Sequence, residues 1–418
     1  MSAVTGCGSG APPLADSPTR TVETRAGSSE RFVSEIQRTA PGDPAGARTA
    51  VAEFGLDLFR RVHEAEPNTL ISPYSLYTVL AMARAGARGD TADQLDAVLR
   101  LHGPEAQGGA IAAVDAGIGA ALAAAERMQQ PIIITASNEA WVANGFGIRQ
   151  DYLDQLARQF AVSAVAADFA GNPEQMRVEI NAWVSERTNK LIPELFPERS
   201  IDSGTLLVLV NALYLKASWL VPFGPPVSGT FTTGTGKPVK VPMMSTGSRG
   251  PAATGGGWMA ATVPYAGYGL QMTLLVPDPG RFADVVARLD GELLTAASAK
   301  DEEIIVTMPG FKVTSKPAVE DAVKELGVVD LFDSGYADLS GIAGQPGDLY
   351  ATAFLHQATI TVDRYGTEAT AATALAVGAG GAASGPPRQL RIDRPFLFWI
   401  AETATGAPLF LGSVSDPS

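Results

Sequence analysis

Hydrophobic residues recur at helical spacing through the first half of the chain and as short alternating or unbroken runs through the second. Val51, Phe54, Leu58, Phe59 and Val62 mark one helical face, which breaks at Pro67-Asn68. Ser72-Pro73 supplies an N-cap and a first-turn proline for a helix through Leu80 and Met82 to Gly86. Thr91 with Gln94 predicts a capping box for a third helix. Residues 108 to 128 form an Ala-rich fourth, and Asn172-Pro173 opens another through Ile180, Trp183 and Val184. Ile132 to Val142 reads as a strand. Leu206 to Leu215 is apolar except for Asn211, the pattern of a strand covered on both faces. Further strand-like runs lie at 239–244, 259–264, 269–276, 303–308, 354–363, 389–401 and 408–414, with short helices near 280–290 and 317–326. Helices that come early and strands that come late predict an α+β fold rather than alternating βαβ units.

One stretch departs from these patterns. From Val362 to Pro395 a strand passes into more than twenty small or turn-forming residues and returns as a strand. Successive side chains of a strand point to opposite faces. Thr367, Ala369, Ala371, Thr373, Leu375, Val377 and Ala379 form one set, free of charge, Gly and Pro, and suited to lie on a core. The other set holds a single charge, Glu368. A flexible linker has no reason to keep such parity, so the segment is a strand held in reserve.

At 418 residues and 46% hydrophobic content the chain can bury a large core. A net charge of −13 argues against a phosphate-binding surface, which needs clustered Lys and Arg, so no nucleic-acid partner is expected. The single cysteine, Cys7, forms no internal disulfide. Val4-Thr5-Gly6-Cys7 followed by Gly, Ser and Pro resembles a bacterial lipobox without the apolar segment that should precede it. If the chain begins further upstream, the protein is expected to be an extracellular or cell-surface lipoprotein. As written it would stay in the cytoplasm. No stretch reaches the roughly 18 unbroken apolar residues of a membrane span. Residues 1–45 read as a disordered tether and 46–418 as one folded domain.

The chain offers no catalytic centre. Its three histidines, His63, His102 and His356, lack the spacing of a zinc site, and neither a nucleophile elbow nor a phosphate-binding loop occurs. No metal or cofactor is expected. His63 and His102 read as ordinary helix-end or loop residues. Ser72, Ser75, Asn211 and His356 are polar residues inside apolar runs, which by themselves predict a buried, satisfied network.

Gly366-Thr367-Glu368-Ala369, followed by Thr370, Ala371, Ala372 and Thr373, resembles the hinge of the serpin reactive-centre loop. Further serpin-like motifs occur in the family's order. They are Asn68 to Ser75 with Met82 to Gly89; Asn181-Ala-Trp183-Val184 with Thr188 and Lys190; Leu209 to Trp219; Val241 to Met244; Asp338 to Ile342; Leu355 to Ala358; Arg394-Pro395-Phe396; and Ala407 to Gly412. The resemblance implies three β-sheets with eight or nine helices in one domain, and an exposed loop offered to a protease. It implies a suicide-substrate inhibitor of serine proteases, with papain-like cysteine proteases as a further class. The alternative is a non-inhibitory serpin-fold binding protein. It puts the scissile bond within Gly380, Gly381, Ala382 and Ala383, and assigns Ser72, Ser75, Asn211, His356 and Trp219 to the region where the large sheet opens. Small residues around that bond point to an elastase-like or subtilisin-like partner, and the inhibitor is expected to be a monomer. By parity Thr367 turns inward only on insertion, while Glu368 faces solvent. Arg364 and Tyr365 stand where the family has acidic or small polar residues, which calls into question how firmly the base of the loop is anchored.

Overall fold

Helix α1 (Pro44–Val62) starts where the Asp43 carboxylate accepts the Gly46 N–H, and its predicted stripe from Val51 to Val62 is buried. In this computed structural model the described residues are 20–24, 30–34, 36–63, 68–130, 132–145, 147–246, 250–299, 302–352, 354–368 and 388–418. Cys7, the hinge positions Ala369, Thr370, Ala371, Ala372 and Thr373, and the candidate bond at Gly380, Gly381, Ala382 and Ala383 lie outside them.

Ser72 caps α2 (Pro73–Gly86), accepting the Ser75 N–H at 3.2 Å, and all but two of the helix's fourteen residues are buried. The expected capping box at Thr91 is not used as one. Helix α3 (Gly89–Leu99) begins three residues earlier than that cap would set, with Arg88 as its N-cap, leaving both side chains free for tertiary bonds. Thr91 accepts the Asp338 N–H at 3.0 Å, and Gln94 accepts those of Val329 and Asp330. Helix α4 (Pro104–Arg127) is long and apolar enough to span a membrane by length and composition, yet it packs on α1, α2 and α5 (Gln150–Phe160). Helices α6 (Pro173–Arg187), α7 (Phe282–Ala287), α8 (Gly291–Ala297) and α9 (Val319–Glu325) complete the nine among the described residues.

The first hydrogen-bonded sheet has eight strands in the order β1 (Arg20–Thr24), β2 (Glu30–Ser34), β5 (Ser163–Ala167), β4 (Ile133–Ala143), β6 (Leu207–Ser218), β15 (Gly366–Thr367), β14 (Ala358–Val362) and β13 (Phe311–Ser315). The second network runs β3 (Asn68–Ile71), β18 (Pro408–Val414), β17 (Phe396–Glu402), β11 (Leu270–Pro277), β10 (Trp258–Pro264), β9 (Gly250–Gly255), β12 (Glu302–Pro309), β8 (Pro238–Ser245) and β7 (Val227–Thr232), with β16 (Gln389–Arg391) alongside β12. It changes partners within β12, which pairs β9 through Glu302–Ile304 and β8 through Thr307–Pro309. Counting its two halves separately gives three sheets in an α+β fold.

Strands β1 and β2 fall within the stretch expected to be a tether. Arg20–Thr24 and Glu30–Ser34 pair with each other, and β2 adds to the edge of β5. The expected strand over 354–363 starts only at Ala358, and the one over 389–401 is interrupted between Arg391 and Phe396, where Pro395 has no N–H to give. The larger core lies between the second network and the helices around α2. A smaller one, with Trp141, Phe169, Ile180, Trp183 and Val210, lies where α6 covers the other face of the eight-stranded sheet.

Candidate functional site

The turn Asp363–Gly366 joins β14 to β15 and is tied down almost wholly through the backbone. The Trp219 N–H donates to the Tyr365 carbonyl and the Phe223 N–H to that of Arg364, both at 2.8 Å. The Trp219 indole N–H donates to the Asp363 carbonyl at 2.9 Å. The Asp363 carboxylate in turn accepts the N–H groups of Tyr365 and Gly366 at 2.7 and 3.1 Å. The Arg364 guanidinium lies 4.7 Å from the Tyr365 ring centroid. The side chains at 364 and 365 therefore occupy each other, and the base of the loop is anchored independently of the charge at 364.

Past this turn Gly366 pairs with Ser218 and Thr367 with Ala217, so a two-residue strand stands between β6 and β14. Gly366 is required there by close approach, since a Cβ would lie 2.0 Å from the Ala217 carbonyl oxygen. Thr367 is 1% exposed and shares a 2.7 Å hydrogen bond with the buried Tyr265 hydroxyl. Tyr265 stacks on Trp219 with ring centroids 4.4 Å apart. Burial pushes the Tyr265 hydroxyl pKa far up, and the Thr367 contact offsets this only in part. The expectation that Thr367 turns inward only on insertion is corrected here: it is already inside.

Glu368, the last described residue of this segment, has a left-handed φ of 51°. Its N–H donates to the Thr361 carbonyl at 2.9 Å. Its half-buried carboxyl hydrogen-bonds the Tyr214 hydroxyl and sits near Lys216 and Lys312. Burial raises its pKa against the opposing pull of those three groups. The expectation of a solvent-facing Glu368 is met only in that it points away from Thr367's side of the sheet.

Among the described residues β6 and β14 are bridged only by β15. Below it a cavity of about 100 Å³ opens, lined by Leu207–Asn211 of β6, by α2, and by residues leading to β14 including Leu355 and His356. A smaller one of about 30 Å³ holds Ser72, Ser75, Asn211 and His356 together. The gap explains the exposure of β6. Val208, Val210 and Ala212 are buried under α6, while Leu207, Leu209, Asn211 and Leu213 remain half-exposed. The second face of the strand is covered in part, with Leu207, Leu209 and Leu213 packed against the main core on the side of α2 but accessible along the gap.

The cluster residues split into two groups. Ser72 Oγ donates to the Leu409 carbonyl at 2.7 Å and accepts from the Ser75 hydroxyl at 2.9 Å, and the Ser72 N–H donates to His356 Nε2 at 3.1 Å. Burial pulls the His356 pKa down to about 4, so the ring stays neutral and Nε2 is free to accept. Asn211 turns away toward β4, donating to Asn138 Oδ1 at 2.6 Å, and its own Oδ1 is buried without a partner. Trp219 lies at the β15 end of the gap between β6 and β14, against Asp363 and Tyr265.

Sequence reading missed Tyr265, Tyr214 and Asn138, because nothing local marks a tyrosine or asparagine on a neighbouring strand as a partner. The spacing of Tyr265 after Trp219, next to a Gly-rich turn, is the nearest available signal. His63 stacks on Phe59 and His102 is exposed near Asp96, as structural residues. Among the described residues no group of His, Cys, Asp and Glu has the makings of a metal site.

A family model described as Serpin (serine protease inhibitor) matches residues 49–417. A serine protease inhibitor from Cyanea capillata is 34% identical over 364 residues, covering 85% of this chain and 93% of that one. Leukocyte elastase inhibitor from Bos taurus is 31% identical over 387 residues, with 88% and 98% covered. The crystal structure of native protease nexin-1 with heparin superposes with a TM-score of 0.77 at 26% identity, covering 90% of this chain and all of that one.

Proposed function

Because the chain belongs to the serpin family, we propose that it is a suicide-substrate inhibitor of serine proteases, aimed at elastase-like or subtilisin-like enzymes with small specificity pockets. The observation that supports this is the slot, in which, among the described residues, β6 and β14 are parted with only Gly366 and Thr367 paired between them. Continuing the Thr367–Ala217 register sets Ala369 opposite Leu215, Ala371 opposite Leu213, Thr373 opposite Asn211, Leu375 opposite Leu209 and Val377 opposite Leu207. These uncharged residues share the face of Thr367, which is the face the cavity leaves open. The ten residues from 368 to 377 span about 33 Å as a strand and use the whole remaining length of β6.

The protease's own nucleophile attacks the loop and forms an acyl-enzyme. The freed segment then fills the slot, carrying the bound protease past the far end of β6 before deacylation. A bond within Gly380–Ala383 lies just beyond the residues that fill β6, so insertion can be completed with the protease attached. The leukocyte elastase inhibitor relative supports the choice of an elastase-like target.

Incubation with pancreatic elastase and with subtilisin, read on a denaturing gel, tests the reading. A covalent adduct that survives boiling in detergent is expected. Stoichiometric cleavage without an adduct would place the protein among non-inhibitory members of the fold.

A further inference from the structure

The chain between β2 and α1 falls within the stretch expected to be a tether, yet it is tied to three elements in turn. Strand β2 lies along the outer edge of β5 through two residue pairs, Arg31 with Val165 and Phe32 with Ala164. Further on, the Thr39 N–H donates to the Arg158 carbonyl at 2.8 Å and the Thr39 hydroxyl to Gln159 Oε1 at 2.6 Å, both in the last turn of α5. Arg38 pairs with Asp115 of α4, and the Gly42 N–H donates to the Gly109 carbonyl of the same helix at 2.8 Å. The approach at Gly42 is close enough that a Cβ there would lie 3.0 Å from the Gly109 carbonyl carbon. One residue later Asp43 caps α1.

The two ends of this segment belong to different parts of the molecule. Helix α1 packs on α2 and on β18, and so stays with the second network. Strand β2 belongs to the hydrogen-bonded series β6, β4, β5, β2, all on one side of the slot. A strand that enters between β6 and β14 below β15 needs about 4.8 Å of width. The whole series must then shift away from β14 and carry β2 with it. Only the nine residues 35–43 join Ser34 to Pro44, and the bonds at Arg38, Thr39 and Gly42 take up their slack. The shift therefore breaks those bonds or strips β2 from β5, and the junction of two residue pairs is the weaker link.

We propose that residues 30–43 are a strap that restrains the parting of β6 from β14, and that detachment of β2 from β5 is a step on the way to strand entry. The inference rests on the reading of the slot as the place where the loop enters. The strap acts at the outer edge of the sheet, three strands away from the slot, and touches neither the hinge nor the residues that line the gap. It makes the N-terminal segment a control on how readily the sheet opens.

The test is the rate at which the uncut full chain takes up a synthetic peptide with the sequence of residues 367–378, followed by native mass spectrometry with no protease present. In a Cys7→Ser background, Arg31→Cys with Val165→Cys puts two thiols at a directly paired position, where antiparallel Cα atoms lie about 4.5–5.5 Å apart and a disulfide fits. The oxidised staple is expected to slow uptake about tenfold or more, the factor carried by one net hydrogen bond, and dithiothreitol to restore it. Arg31→Pro with Phe32→Pro takes both N–H groups out of the junction and is expected to speed uptake about threefold or more. Equal uptake by the oxidised and reduced staple, or unchanged uptake by the double proline variant, overturns the strap and leaves the slot reading standing. No uptake by any form overturns both.

Discussion

Thr367 Oγ1 and Tyr265 Oη lie 2.7 Å apart in a site from which solvent is excluded, so the first side chain of the hinge segment is bonded into the sheet in the uncut protein. Thr367→Val leaves the Tyr265 hydroxyl buried and alone and is expected to destabilise the uncut protein by about 1–3 kcal/mol. The double variant with Tyr265→Phe should recover most of that, as denaturant melts of all four proteins will show. Purely additive losses would mean that the pair does not interact.

Thr367→Arg is expected to abolish inhibition while cleavage continues at the same bond. Since position 367 is already buried, the charge must also push the hinge out of the uncut form, lowering its stability by an amount on the order of a few kcal/mol. The matched control is Glu368→Gln, which keeps the contact to Tyr214; an arginine at 368 would face Lys216 and Lys312. Inhibition that survives Thr367→Arg as well as it survives Glu368→Gln would rule out strand insertion.

Gly366→Ala should have a similar effect through shape alone. Its Cβ meets the Ala217 carbonyl oxygen at 2.0 Å and the Ser218 Cα at 2.8 Å, both backbone atoms that cannot step aside. The pairing of β15 with β6 is lost, and the uncut protein should melt earlier by about 1–3 kcal/mol, the usual range for overpacking. An unchanged melting temperature would mean that the hinge does not sit in the sheet in solution.

If the loop inserts in the proposed register, the unpaired Asn211 Oδ1 gains a partner, since Thr373 would come opposite it with a hydroxyl to donate. Thr373→Val should leave the uncut protein within about 0.5 kcal/mol of the natural one. It should reduce the stability gained on cleavage by about 1 kcal/mol. A shift of the register by two residues would move this effect to Ala371→Ser or Leu375→Ser instead.

His356 predicts a pH dependence. Its pKa falls from about 6.5 unfolded to about 4 folded, so the folded state holds fewer protons between those values. The stabilisation is complete above about pH 6.5 and is lost as the pH falls toward 4, up to about 3 kcal/mol in all. Melts of the natural protein and of His356→Gln between pH 7 and 4.5 should diverge on acidification, the variant losing less. Parallel curves would mean that His356 is not held neutral against the Ser72 N–H.

The stripe from Val51 to Val62, the Ser72-Pro73 cap and most of the strands were legible in sequence because each is a local pattern. The inward parity of Thr367 was legible too, but not the moment at which it turns in, which depends on Tyr265 from a strand a hundred residues away. Asn211 was recognisable as a polar residue in an apolar run. Its partner Asn138 was not, since cross-strand register is fixed by the whole sheet. Thr91 was misread because a side chain suited to a cap is equally suited to hold a neighbouring loop, and here Asp338 claims it.

The fixed turn at Asp363–Gly366 also bears on speed. Bringing a free segment between two strands carries its entropic penalty at the first contact, before any ladder exists to offset it. In this chain that nucleus is folded in advance, with one end of the new strand pinned by Trp219 and Phe223 and its first pairs already made. Under the proposed mechanism the cut segment would zipper from a closed hairpin, a process of about 1–10 μs in free peptides. On that proposal the race against deacylation would be set by how easily β6 and β14 part further and how heavy a protease must be dragged, with nucleation already behind it.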